Sequence, residues 1–362
     1  MSKIIIAGGG TGGHIFPAIA IANAIKQLEP ATEILFVGAN GKMEMEKVPQ
    51  AGYNIRGLDI AGYDRSSLIK NFSLPFKLVK SFGQVKKIVN EFKPDAVIGV
   101  GGYSSFPVLK FAQGKNIPTF IHESNSFAGK SNIMLGKAAT KIFVASEGME
   151  KFFPQGKIMI TGNPVRKSIS RPAATKIEAR GFFGLDENKK TILAFGGSLG
   201  ARSINEVIAS HLQSFDELNI QLIWQTGKTN AAKYIERGRA WKNVWVNEFI
   251  VEMDKAYTAA DAVISRSGAM AVAELCVAKK AVVFVPYPLA AEDHQTMNAK
   301  YLVDKNAALM VKDNEVQGKL FSTITNLLFD EKKRQQLEMN IAALAVTNAD
   351  EIIAKEILKD IR

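Results

Sequence analysis

The sequence predicts an α/β protein of two similar domains, each built on a parallel sheet. Three observations carry that expectation. Short apolar runs alternate with helical patterns, the signature of βαβ units. The alternation opens twice in the same way: Ile4–Ala7, the turn Gly8–Gly13 and a helical segment Ile15 to Leu28, then Thr191–Phe195, the turn Gly196–Gly200 and a helix from Ser203. Finally, 362 residues exceed what one core usually supports, roughly 250–300 residues.

In the first half, strands are expected at Ile4–Ala7, Ile34–Val37, Asn54–Leu58, Ala96–Val100, Thr119–His122, Lys141–Ala145 and Lys157–Ile160. Gly8-x-Gly10-x-x-Gly13 follows the first of them, with Pro17 expected in the first helical turn, where a missing N–H costs nothing. Thr161–Arg166 leads into the polar stretch Lys167–Asn188, read as the linker. The second half offers strands at Thr191–Phe195, Gln221–Gln225, Val244–Val246, Ala262–Ser265, Val282–Pro286 and Ala308–Val311, and a terminal helix over Ala342–Arg362. Domains are expected over 1–163 and 164–345, with a terminal helix 346–362 packing back on the first.

Composition narrows the function classes. At 47% hydrophobic and 22% charged, the chain reads as an ordinary globular protein. No apolar run reaches the roughly 18 residues of a spanning helix, and a core strand within three residues of Met1 leaves no secretory leader expected. Cys276 stands alone, so no internal disulfide forms, and four scattered histidines give no zinc-type spacing; no metal is expected. The net charge of +11 is concentrated in residues 1–163, which carry 19 Lys and Arg against 11 Asp and Glu. Nucleic acid, an anionic membrane surface or an anionic substrate each fits that excess.

A strand, glycine turn and helix N-terminus form an anion site, because glycine admits close backbone approach and the first helical N–H groups lack partners. A dinucleotide fold also needs an acid at the end of the second strand to bind the ribose. That strand ends Val37-Gly38-Ala39-Asn40, and its counterpart ends Gln225-Thr226-Gly227. With the acid missing twice, and no P-loop lysine, NAD, FAD and P-loop readings are set aside. Two phosphate-friendly loops suit a sugar nucleotide and a phosphorylated acceptor instead.

Seven short motifs, in order, resemble the MurG family of glycosyltransferases along nearly the whole chain: Gly8–His14 with Phe16-Pro17; Gly99–Tyr103; His122–Asn125 with Ala128-Gly129; Gly162–Arg166; Gly196–Arg202; Arg266–Ala269 through Glu274; and His294-Gln295 with Asn298-Ala299. The resemblance implies a GT-B fold, two Rossmann-like domains facing across a cleft. It implies inverting, metal-independent transfer of N-acetylglucosamine from UDP-GlcNAc to the muramoyl 4-hydroxyl of undecaprenyl-diphospho-muramoyl-pentapeptide (lipid I) in peptidoglycan synthesis. No Asp-x-Asp is present, and no cofactor is implied.

Residue by residue, the resemblance implies that His14 or Glu123 is the general base. For the donor it implies Arg166, Ser198, the backbone of Ile250, Ala269, Met270, Glu274 on the ribose and Gln295 on the sugar. Thr11, Gly12, Gly13 and Asn125 touch the donor at its centre and line the acceptor side with Gly10, Tyr103 and Ser104. Ala271 replaces a threonine common in the family, and His294 a glutamine.

Residues 65–93 carry seven basic side chains against Glu91 alone, interleaved with apolar ones. Phe72, Phe76, Lys77, Lys80, Phe82, Lys86 and Lys87 are read as a docking face for an anionic leaflet. The implied location is therefore peripheral, on the cytoplasmic face of the inner membrane, among other cell-wall synthesis proteins. The rivals are another GT-B enzyme, such as a diacylglycerol glycosyltransferase or UDP-GlcNAc epimerase, and a non-catalytic nucleotide-binding protein. A nucleic-acid partner is not expected, since no nucleic-acid module is present.

Overall fold

The computed structural model describes residues 2–61, 74–290 and 293–361. It divides into two compact units, Met1–Pro164 with Asn348–Arg362, and Val165–Thr347.

The first unit holds β1 (Lys3–Ala7), β2 (Glu33–Ala39), β3 (Asn54–Leu58), β4 (Ala96–Gly99), β5 (Thr119–Glu123), β6 (Lys141–Val144) and β7 (Ile158–Ile160). They form one parallel sheet in the order β3-β2-β1-β4-β5-β6-β7. Successive side chains of a strand point to opposite faces. Ile4 and Ile6 therefore join the core with helix Gly12–Leu28, while Ile5 and Ala7 face the layer of helices Leu74–Phe92 and Ser105–Gly114. The strand order reverses between β1 and β4. Ligands of open α/β sheets bind outside the carboxyl ends of the strands at such a switch point, and the Gly8–Gly13 turn leaves β1 there.

The second unit repeats the plan with β8 (Thr191–Phe195), β9 (Gln221–Gln225), β10 (Val244–Asn247), β11 (Ala262–Ser265), β12 (Val282–Phe284) and β13 (Leu309–Met310). Their order is β10-β9-β8-β11-β12-β13, again parallel, with the switch between β8 and β11.

Four expectations are corrected. The first helix begins at Gly12 rather than Ile15, because Thr11 is still extended (φ −144°, ψ 159°) and the glycines already turn helically. Pro17 thus lies in the second turn, where it removes the N–H that would pair with the Gly13 carbonyl. Residues 167–188 are not a linker. They contain helices Lys167–Ser170 and Lys176–Phe182, the latter opened by a Thr175–Glu178 capping box, and they bury Ile169, Ala179, Phe183 and Leu185 in the second core. The terminal helix is Ala349–Asp360 alone, since helix Glu331–Ala342 ends before it. It lies on helix Gly12–Leu28 with Ile353, Ala354, Ile357 and Leu358 buried, and Lys141 binds its Glu356 and Asp360 at 2.6 and 3.1 Å. The two units change over after Pro164 and after Thr347.

Helix Leu74–Phe92 buries Ser81, Val85 and Val89, four residues apart, on one face. No described helix is long and apolar enough to cross a membrane.

Candidate functional site

Each unit carries a half-site at its switch point. In the first, two glycine loops are laced backbone to backbone. Val100 N–H donates to the Ala7 carbonyl at 3.0 Å, and Gly9 N–H to the Gly101 carbonyl at 3.2 Å. Ser105 adds a side chain to the seam, its hydroxyl donating to the Ala7 and Gly101 carbonyls. Gly101 and Gly102 take φ of +96° and +88°, a region that favours glycine, and a Cβ on Gly102 would strike the Gly9 backbone.

This seam seats His14 in the first helical turn. Its Nδ1 lies 3.1 Å from the Gly9 carbonyl oxygen. A carbonyl only accepts, so Nδ1 carries the proton and Nε2 keeps its lone pair. The ring packs on Gly101, where a Cβ would stand 2.7 Å from Nε2. Burial pushes the His14 pKa below the usual imidazole value, partly offset by the Gly9 bond and by the carboxylates of Glu123 and Glu44.

Glu123 is buried at the end of β5 and accepts four hydrogen bonds: from Asn125 N–H (3.0 Å) and Nδ2 (3.2 Å), Gly129 N–H (3.1 Å) and Asn132 Nδ2 (2.8 Å). It therefore ties down the loop that carries Asn125. Tyr103 is exposed, but Ser104 is fully buried at the start of helix Ser105–Gly114. The structure thus leaves the Ser104 side chain without surface to offer an acceptor. The N–H of Gly10 is also occupied: Glu44, from the helix after β2, accepts it at 2.7 Å. The remaining first-turn amides, those of Gly12 and Gly13, have no intrahelical partner.

Glu44 was not legible in sequence, because it lies past the strand end where an acid was sought. A neighbouring histidine is also unassigned. His122 is buried, neither ring nitrogen makes a well-formed hydrogen bond among the described residues, and burial lowers its pKa to about 4.

In the second unit, Gly200 and Gly227 meet as closely, with φ of +85° and +73°; a Cβ on either would strike the other loop's backbone. Lys228 N–H donates to the Ser198 carbonyl, holding the turn that presents Ser198. Gln225 stands where the dinucleotide acid would be. Its Nε2 donates to the Gly197 carbonyl at 3.1 Å and its Oε1 accepts the Ile250 N–H at 2.9 Å.

Helix Ala269–Ala278 starts beyond β11 with Gly268 at its cap, so Ala269 and Met270 supply its first amides. Ser267 hydroxyl donates to the Gln295 carbonyl, and Asn298 Nδ2 to the Ser267 carbonyl. These bonds fasten the start of helix His294–Asp304 beside it, and Gln295 Oε1 accepts the Tyr287 N–H. Glu274, one turn further along Ala269–Ala278, is held at both oxygens. Arg166 reaches Oε1 at 3.3 Å, and the buried Tyr257 hydroxyl donates to Oε2 at 3.1 Å. Two residues implied by separate motifs are thus joined, and Tyr257 is an addition that its apolar helical setting concealed. Burial and Glu274 raise the Tyr257 pKa, so it stays a neutral donor. Among the described residues no group of three His, Cys, Asp or Glu is placed to hold a metal ion.

The chain matches the glycosyltransferase family 28 N-terminal domain over residues 4–144 and the family 28 C-terminal domain over residues 191–357. It is 50% identical over 360 residues to a protein of Parabacteroides distasonis, covering 99% of this chain and 98% of that one. That relative is named UDP-N-acetylglucosamine–N-acetylmuramyl-(pentapeptide) pyrophosphoryl-undecaprenol N-acetylglucosamine transferase. The crystal structure of Acinetobacter baumannii MurG superposes with a TM-score of 0.71 at 29% identity, covering 99% of this chain and all of that one. A Neisseria meningitidis UDP-GlcNAc 2-epimerase shares the fold alone, with a TM-score of 0.69 at 15% identity over 99% of this chain and all of that one.

Gly101→Ala would set a methyl group against His14 Nε2 and lift the ring from its seat. Because burial is the largest cause of the lowered pKa, the His14 titration midpoint, read by NMR, should then rise toward about 6.5. An unmoved midpoint would contradict the contact.

Proposed function

The chain belongs to the MurG family of UDP-N-acetylglucosamine–N-acetylmuramyl-(pentapeptide) pyrophosphoryl-undecaprenol N-acetylglucosamine transferases, and on that premise we propose how its own residues carry the reaction. The reaction moves GlcNAc from UDP-GlcNAc to the MurNAc of undecaprenyl-diphospho-MurNAc-pentapeptide, giving lipid II and UDP. In our reading the acceptor 4-hydroxyl attacks the anomeric carbon opposite the diphosphate. Its proton passes to His14 Nε2, the bond from carbon to phosphate oxygen breaks, and UDP departs with the electron pair, so the α donor gives a β-1,4 link.

The observation that carries this assignment is the His14 Nδ1 bond to the Gly9 carbonyl. It fixes the tautomer with a free Nε2 lone pair, while the lowered pKa keeps the ring neutral near neutral pH. Glu123 has both oxygens engaged by the Asn125, Gly129 and Asn132 donors, so we assign it to holding the loop that carries Asn125. The acceptor diphosphate is assigned to the first-turn amides of Gly12 and Gly13 with Thr11, beside the exposed Tyr103.

On the donor side, the leaving diphosphate meets the amides of Ala269 and Met270 and the Ser198 turn, where backbone dipoles supply the stabilisation. Gln295 reads sugar hydroxyls. Glu274 has lone pairs left for the ribose hydroxyls once Arg166 and Tyr257 have oriented it. Since Gln225 holds the Ile250 N–H, the Ile250 carbonyl is the group assigned to the uracil.

The basic helix is assigned to the cytoplasmic face of the inner membrane. On this helix Phe76 is 80% and Val79 73% exposed, and Lys77 and Lys86 are exposed as well. Other parts of the expected docking face are engaged elsewhere. Lys80 binds Asp59 at 2.8 Å, Lys87 approaches Glu91 at 3.9 Å, and Phe82 is half-buried. Phe72 lies outside the described residues.

Two measurements test the reading. Glu274→Ala should weaken UDP-GlcNAc binding in calorimetric titration by roughly 10-fold or more, the scale of a hydrogen-bonded charge; unchanged affinity would reject the ribose assignment. Replacing Lys77 and Lys86 by Glu and Phe76 by Ser should release the protein from phosphatidylglycerol-containing vesicles in a flotation assay at low salt. Undiminished binding would reject docking through this helix.

A further inference from the structure

We infer that Glu44 is a positioning residue for the transfer: its carboxylate grips one face of the Gly9–Gly10 peptide while the other face holds His14, so that Glu44 fixes the tautomer and basicity of His14. The inference rests on the reading of His14 as the base.

Glu44 is 1% exposed, and among the described residues no lysine or arginine pairs with it. A buried carboxylate without a cation needs strong hydrogen bonds. It has two, from Ala39 N–H at 2.9 Å to Oε1 and from Gly10 N–H at 2.7 Å to Oε2. Room for it is made by glycine: a Cβ on Gly9 would strike its carboxyl group, and one on Gly38 its Cγ. Gly9, from the turn that reads as a ligand cradle, and Gly38, at the end of the second strand, therefore accommodate the chain's own anion.

The Gly10 N–H and the Gly9 carbonyl belong to one peptide unit, which is planar and trans. Its N–H points to Glu44 and its oxygen accepts His14 Nδ1–H at 3.1 Å. The arrangement is a carboxylate–histidine pair with a peptide inserted between them. An amide donating to an anion becomes a stronger acceptor at its oxygen, since hydrogen bonds in a chain polarise one another. The carboxylate thereby favours Nδ1–H and stabilises the imidazolium formed when Nε2 takes the proton. The other titratable groups that act on His14 are Glu123, which supports the cation, and His122, whose charge would oppose it.

The test uses the intact protein with ¹⁵N-labelled histidine, because the chain has only four histidines and His14→Gln assigns the signal. In the wild type, His14 should carry its proton on Nδ1. In Glu44→Gln the Nδ1–H signature should weaken and the titration midpoint should fall by about half a unit or more, the scale of one nearby charge at an effective dielectric of about 20. The acid limb of kcat/KM should move down with it, since removing a negative charge makes the base easier to deprotonate. Glu44→Asp, which keeps the charge, should hold the midpoint near the wild-type value, and it decides the matter if Glu44→Gln does not fold. A wild-type His14 protonated on Nε2, or an unmoved tautomer and midpoint in Glu44→Gln, would overturn the inference. Full turnover in His14→Gln would instead overturn the base assignment, while the NMR result would still report what Glu44 does to the ring.

Discussion

Gly9 and Gly102 approach so closely that a Cβ at Gly102 would strike the Gly9 backbone, and the first half-site depends on that contact. Because no side chain intervenes, the loops after β1 and β4 share hydrogen bonds, and the seam fixes the direction of the Gly9 carbonyl. That direction sets the His14 tautomer. The glycines are thus required by the protein's own packing before any ligand arrives, which separates this loop from a dinucleotide fingerprint of identical spacing.

The second unit applies the same constraint at Gly200 and Gly227, with a different product. There the close approach presents backbone and small polar groups around a helix N-terminus, and the charged residues stand further along the helix. Glu274 is held by Arg166 and Tyr257 within the unit itself. Preorganisation of this kind lowers the ordering cost of binding, because the partners are already oriented. Under the proposed assignment the two half-sites divide the chemistry: one arranges a proton acceptor, the other a fixed field for a leaving diphosphate.

The sheet strands were readable because period and composition agree in buried parallel strands such as Ile4–Ala7 and Thr191–Phe195, where near-continuous apolar runs are bounded by glycine. The motif residues were readable one by one. Their partners were not. Glu44 lies 34 residues from the Gly10 amide that it holds and Tyr257 17 residues from Glu274, and Gln225 carries no local sign of the Ile250 amide that it accepts. Residues 167–188 misled because their polar face hides a buried stripe of Ile169, Ala179 and Phe183. Pro17 misled because a proline can sit one turn inside a helix when only a single carbonyl loses its partner. Hydrogen bonds closed across long sequence separations leave no local period to read.

The division of labour is tested most directly by transfer of labelled GlcNAc from UDP-GlcNAc to a short-chain lipid I analogue, comparing wild type with His14→Gln. The expected result is a β-linked product from the wild type and a loss of roughly 10²–10⁴-fold in kcat in the variant, the usual contribution of a general base, with UDP affinity retained. Wild-type turnover in His14→Gln, or an α-linked product from the wild type, would contradict it.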